Sequence, residues 1–156
     1  MRFIGDYSAK ADAKGRVFLP APLRKVLEGA GESRCILRVD LFQPCLVLYP
    51  ESLWHEMLDM LRSRLNRWNG THQQLLRKFL ADAEVVELDS NGRILINKRK
   101  LDYAGITADV RFLAVDDHIE IWDKQRCEQV LNEQSTLGED LQAIMADMPT
   151  AITQNI

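Results

Sequence analysis

Apolar positions change their period several times along this chain, and the changes mark its elements. Phe3 to Lys10 reads as a leading strand, although its alternation is poor. Val17-Phe18-Leu19 is a short return strand ended by Pro20, which has no N–H to give to a ladder. The period then lengthens. Leu23, Val26 and Leu27 fall on one helical face, with Pro22 suited to the first turn and Gly29 and Gly31 stopping the helix. Cys35 to Val39 and Cys45 to Tyr49 form a hairpin about Gln43-Pro44. After Pro50 the stripe Leu53, Trp54, Met57, Leu58, Leu61, Leu65 and Trp68 predicts a long helix ended by Asn69-Gly70. Thr71 and Gln74 fit a capping box for a following helix, whose buried face would be Leu75, Leu76, Phe79 and Leu80.

The same order then returns. Val85 to Leu88 leads in, Ile94-Leu95-Ile96 returns, Leu101 to Ala104 is a short helix stopped near Gly105, and Val110 to Val115 with Ile119 to Trp122 form a hairpin around Asp116-Asp117-His118. A last helix covers Lys124 through Leu131. Beyond Leu137 the chain is acidic, and after Pro149 the expectation is a disordered terminus.

The two halves share a motif. Asp12-Ala13-Lys14-Gly15-Arg16 followed by Val17-Phe18-Leu19 is repeated, at an offset of 77 residues, by Asp89-Ser90-Asn91-Gly92-Arg93 followed by Ile94-Leu95-Ile96. An internal repeat decides architecture before any single element does. Asn91-Gly92 suits a tight primed turn, because both residues tolerate positive φ, and Gly15 can serve likewise. Asp12 and Asp89 can close each turn by accepting N–H groups two residues on. Arg16 and Arg93 leave the turns at the start of an apolar strand, where a guanidinium suits bidentate recognition of phosphate or of a guanine edge.

On these residues the chain resembles a known family. Asp12 to Leu23, with Arg24 and Lys25 beyond, is similar to the swapped-hairpin DNA-binding module of AbrB-type bacterial regulators, and two such modules in one chain resemble the MraZ family. The matching strands Pro44 to Pro50 and Ile119 to Asp123 extend the likeness. The resemblance implies a mainly β chain with helices, of the α+β class, in which two interlocked modules lend hairpins to each other and form a pseudo-dimeric β-barrel. The modules would span 5–52 and 82–125, with linking helices over 53–81 and a C-terminal helix and acidic tail over 126–156.

It also implies a sequence-specific regulator that binds double-stranded DNA and controls the division and cell-wall gene cluster, its own promoter included. Arg16 would contact bases, with Arg93 its weaker counterpart, while Lys14, Arg24 and Lys25 would engage phosphates or the groove wall. The resemblance further implies assembly into a ring of identical chains on repeated short DNA elements, and a nucleoid-associated, cytoplasmic location. The competing reading is an antitoxin-like protein-interaction module built on the same barrel. The second copy departs from the pattern: Asn91 replaces the lysine, Asn97 stands where Pro20 does, and Lys100-Leu101 stands where the module has Leu-Arg, with Lys98, Arg99 and Lys100 supplying charge nearby.

Composition is consistent with a folded, soluble chain, 46% hydrophobic and 28% charged. The formal net charge of −3 conceals a gradient. Residues 1–38 hold eight basic and four acidic side chains, whereas residues 116–148 hold two basic and nine acidic. The first motif lies in the basic part, as a nucleic-acid surface requires. The N-terminus has no apolar export segment, and no apolar run approaches a membrane span. Cys35, Cys45 and Cys127 form no metal-ligand spacing and read as buried hydrophobes. Asp116, Asp117, His118 and Glu120 read as a hairpin tip rather than a metal or acid–base cluster, and His55 and His72 each stand alone. No nucleophile elbow, phosphate loop or dinucleotide fingerprint occurs. The expectation is therefore no enzyme, no cofactor, no metal and no small-molecule substrate.

Overall fold

The computed structural model describes residues 1–133 and 135–146. In chain order the elements are β1 (Phe3–Lys10), β2 (Arg16–Phe18), α1 (Ala21–Gly29), β3 (Arg34–Val39), β4 (Leu46–Pro50), α2 (Glu51–Ser63), α3 (Gly70–Ala81), β5 (Glu84–Glu87), β6 (Arg93–Leu95), α4 (Lys98–Ala104), β7 (Asp109–Asp116), β8 (His118–Asp123), α5 (Lys124–Leu131) and α6 (Leu137–Met145). The chain is α+β, and all of its named strand pairs are antiparallel.

The strand order shows how the two halves are joined. A six-stranded sheet runs β1-β7-β8-β4-β3-β5, and β2 pairs with β6 in a separate ribbon. The leading strand of each half lies beside the hairpin of the other: β1 pairs along its whole length with β7, and β5 pairs with β3. The sheet therefore reads the same from either edge, with the β4–β8 pairing at its centre. Among the described residues, neither leading strand ladders with a strand of its own half.

A closed β-barrel was the expectation, and the pairing pattern corrects it. β1 and β5 are the two ends of the larger sheet, and β2–β6 makes a second sheet of its own. The physical reason is the shortness of β2 and β6, three residues each, which ladder with one another and reach the larger sheet's end only through a single bridge from Val17 to Ala11. One hydrophobic core nevertheless joins the layers. Val17 and Ile94 from the ribbon, Leu23 and Leu27 from α1, Leu37, Leu46 and Leu48 from the first hairpin, and Phe112, Ile119 and Ile121 from the second are all buried in it. Fully burying each such side chain contributes roughly 1.5–3 kcal/mol.

The linking region differs most from the sequence pattern. α2 stops at Ser63, so Leu65 and Trp68 lie outside the helix they were expected to extend, and Trp68 stands in solvent. Asn69 does not end that helix. It starts the next one, its side-chain oxygen accepting from the N–H groups of Thr71 and His72 at 2.9 and 3.2 Å. The Thr71–Gln74 capping box is thus displaced by a cap two residues earlier. No residue of α3 is fully buried, and Leu75 and Leu80 are exposed. Of the expected apolar face only Leu76 and Phe79 are half-covered. Phe79 stacks on Trp54 of α2 with ring centroids 5.2 Å apart. Under this pair lies the buried guanidinium of Arg38, 4.3 Å from the Phe79 ring centre and donating to the Phe79 carbonyl at 3.1 Å.

α4 begins three residues earlier than its apolar run suggested, because the Asn97 side chain accepts from Lys100 N–H and caps it. The acidic segment beyond Leu137 contains a helix, α6, with Leu137, Leu141, Ile144 and Met145 exposed. The disorder expected after Pro149 falls outside the described residues. No helix among the described residues is long and apolar enough to cross a membrane.

Candidate nucleic-acid interface

Each repeated motif folds into the same small loop. In the first, the Asp12 carboxylate accepts through Oδ1 from the N–H groups of Lys14 and Arg16, both at 2.9 Å. In the second, Asp89 Oδ1 accepts from Asn91 and Arg93, again both at 2.9 Å. Gly15 N–H donates to the Asp12 carbonyl and Gly92 N–H to the Asp89 carbonyl, each at 3.0 Å. Gly15 has φ 86° and Gly92 φ 80°, whereas Asn91 does not take positive φ. The loops are therefore not the two-residue primed turns that Asn91-Gly92 suggested. They are three-residue turns closed by a left-handed glycine, the arrangement of a G1 bulge.

The aspartates also hold the arginines. Arg16 Nε donates to Asp12 Oδ2 at 2.6 Å, and Arg93 Nε donates to Asp89 Oδ2 at 2.8 Å. The Arg16 backbone N–H, with the Arg16 guanidinium and the Lys14 N–H in support, keeps the Asp12 carboxyl below the usual carboxylate range. Arg93 and Asn91 do the same for Asp89. Both carboxylates thus stay ionised near neutrality and orient their guanidiniums through Nε. Neither arginine is the free loop-tip side chain that the sequence suggested. Their Nη groups have no hydrogen-bond partner among the described residues.

The ribbon sets these arginines side by side. Arg16 pairs with Leu95, Val17 with Ile94 and Phe18 with Arg93. Two further backbone bonds cross between the halves, Leu19 N–H to the Gly92 carbonyl at 3.0 Å and Ile96 N–H to the Gly15 carbonyl at 2.8 Å. Strand alternation turns Val17 and Ile94 into the core and the other four side chains outward. Phe18 is 55% exposed and Leu95 58%. The outer face therefore carries an arginine diagonal and an apolar diagonal, related by the repeat offset. The arginines are not equivalent: the Arg93 guanidinium lies 5.7 Å from the centre of the Phe18 ring, while Arg16 faces an aliphatic partner.

The remaining basic residues are distributed unevenly. Lys14 is exposed at the tip of the first loop. Arg24 does not serve its own loop. It reaches the loop of the other half, where a methyl group added to Gly92 would overlap its Nη1 atom. The residue 77 positions later, Leu101, takes the same place against Gly15, its Cδ1 lying 3.3 Å from where such a methyl would sit. Lys25 is exposed on α1. Of the nearby charges expected beside the second loop, Arg99 is paired with Asp82 at 2.8 Å and Lys100 is fully buried. Lys100 occupies the core position of Leu23 and turns its amine to the Asp82 carbonyl, at 2.8 Å, and to Glu84. Only Lys98 of the three is left exposed without a partner among the described residues.

Two features escaped the pattern. Phe18 and Leu95 lie within the apolar return strands, and period-two alternation with the buried Val17 and Ile94 turns them outward. Asp40, Cys45 and Glu120 also converge, their candidate ligand atoms within 4.8 Å of one another. Burial, followed by the charges of Glu120 and Asp40, pushes the Cys45 thiol well above the usual range. At the β7–β8 tip, Asp116 holds positive φ at 62° and bonds Arg2, and Asp117 lies 2.7 Å from His118, which is the geometry of a turn.

Known proteins are similar to this sequence. A family model described as "MraZ protein, putative antitoxin-like" matches residues 2–78 and again 79–147. The protein "Transcriptional regulator MraZ" of Bacteroides thetaiotaomicron is 54% identical over 147 residues, covering 94% of both chains. The protein of that name from Bacteroides fragilis is 52% identical over 147 residues, with 94% of this chain and 93% of its own covered. That of Christiangramia forsetii is 36% identical over 141 residues, with 90% of each covered. With its two halves matching in tandem and relatives at this identity over nearly the whole length, the chain belongs to the MraZ family.

Proposed function

We propose that this chain is a transcription regulator and not an enzyme, and that it acts by sequence-specific binding to double-stranded DNA. The observation that carries the reading is the pair of arginines on the β2–β6 ribbon, each oriented by an aspartate through Nε and each with no partner for its Nη groups among the described residues. A two-stranded ribbon fits the major groove, and an arginine fork reads guanine O6 and N7 there. Pre-orientation lowers the rotamer entropy lost on binding. Arg16 and Arg93 contact bases in this reading; Lys14, Arg24 and Lys25 engage phosphates and fix register. The names of the relatives, each "Transcriptional regulator MraZ", support the regulatory assignment.

The target is the division and cell-wall gene cluster, with the chain's own promoter, and the setting is the cytoplasm and nucleoid. Each half, 5–52 and 82–125, is one DNA-binding module, joined by the linking helices. One chain offers few phosphate contacts against a net charge of −3. Each neutralised phosphate adds about 0.9 to the salt slope, so tight binding requires several chains, arranged as a ring on repeated elements. The test is a gel shift with footprinting on the DNA upstream of the chain's own gene. Wild-type protein should protect it, and Arg16→Ala should not. Unchanged affinity in a folded Arg16→Ala protein would overturn the reading.

A further inference from the structure

We propose that Phe18 and Leu95 are sequence-reading residues that contact the 5-methyl groups of thymines beside the bases read by the two arginines. The inference rests on the DNA-binding reading above and adds to it a ligand chemistry for two apolar side chains that the fold leaves in water. On a ribbon whose core face is filled, both could have been polar without cost to packing. Instead each is large, apolar and more than half exposed. Both lie on the face that carries Arg16 and Arg93, and each stands directly opposite one of them in register.

The geometry limits what could cover them. A purely apolar partner would bury two guanidiniums, and a purely polar one would leave Phe18 and Leu95 wet. The floor of the major groove offers both chemistries at once, guanine acceptors for a guanidinium and the thymine methyl for an apolar contact. The two cross-strand pairs are separated by two residues along each strand. That is roughly 7 Å, about the rise of two base-pair steps. Each Arg–apolar pair can therefore meet its own step, a G·C pair beside an A·T pair. Phe18 has a second task that Leu95 lacks. Its ring lies against the Arg93 guanidinium and helps to hold it, so Leu95 is the cleaner probe of methyl contact.

The probe is the DNA upstream of the chain's own gene, amplified either with dTTP or with dUTP, which removes every thymine methyl and leaves the pairing edges intact. Burying one methyl is worth about fourfold in affinity. Wild-type protein should bind the thymine duplex at least about fourfold more tightly than the uracil duplex. Leu95→Ala should reduce that ratio while retaining specific binding, and a Phe18→Ala/Leu95→Ala variant should bring it near one. Equal affinity of the wild type for both duplexes overturns the inference while leaving specific DNA binding intact. So does a preference for thymine that survives in the double variant, because the methyls would then act through DNA shape. If neither duplex is bound specifically by the wild type, the DNA-binding reading fails and this one with it.

Discussion

The two motif glycines hold the same conformation and should nevertheless respond differently to the same substitution. An alanine at either position pays for left-handed φ, about 1–2 kcal/mol. At Gly15 the added methyl would also overlap the carbonyl oxygen of Ile96, a backbone group fixed in the opposite half. Relief requires the two segments to part, which breaks the 2.8 Å bond from Ile96 N–H to the Gly15 carbonyl. Ile96 is fully buried, so its N–H would be orphaned at a further ~1–3 kcal/mol. Gly15→Ala should therefore cost roughly 2–5 kcal/mol. At Gly92 the three atoms nearest the methyl all belong to the Arg24 side chain, which can swing into solvent. Gly92→Ala should cost little beyond the backbone conformation, about 1–2 kcal/mol, but should weaken DNA binding by displacing Arg24 from the second loop. Urea unfolding followed by the fluorescence of buried Trp54 and Trp122, at one fixed protein concentration, measures both. Equal destabilisation by the two substitutions, or a larger loss at Gly92, would refute the reasoning.

Arg16→Ala and Arg93→Ala, titrated side by side on one duplex, should each lose about 1–3 kcal/mol of discrimination. Arg16→Ala should be the worse, since its loop also carries Lys14. A larger loss at Arg93 would reverse the ranking and give weight to its Phe18 support. Asp12 and Asp89 have folded pKa values below the ordinary 3.8, so the stability they contribute is present above about pH 4 and lost as pH falls through the folded values. Asp12→Asn/Asp89→Asn should accordingly show a shallower loss of stability than wild type in an acid titration followed by circular dichroism. Parallel curves would show that these carboxylates contribute nothing. Burial raises the thiols of Cys35, Cys45 and Cys127, so none should react with a disulfide reagent at pH 8 until denaturant is added. Rapid labelling of the folded protein would show that these sites open.

Much of this protein is local and was legible along the chain. The repeat of Asp, Gly and Arg at one offset identified two like halves, because a turn that needs a carboxylate cap and a left-handed glycine leaves few residue choices. Most strands and helices followed from period alone. What the chain could not show was set by contacts between the halves. The open sheet in place of a barrel depends on which strand edges meet, and three-residue strands carry no signal of their partner. Lys100 looked like free charge and is buried, because an amine can occupy a leucine's place once a carbonyl and a carboxylate come within reach. Arg24 belongs by sequence to the first loop and lies against the second, where Gly92 has no side chain to displace its guanidinium. Phe18 and Leu95 belong to apolar strands yet face solvent, because a ribbon two strands wide has only one face to bury. Residue type and spacing determined the loops and their arginines; the pairing of the two halves decided which side chains surround them.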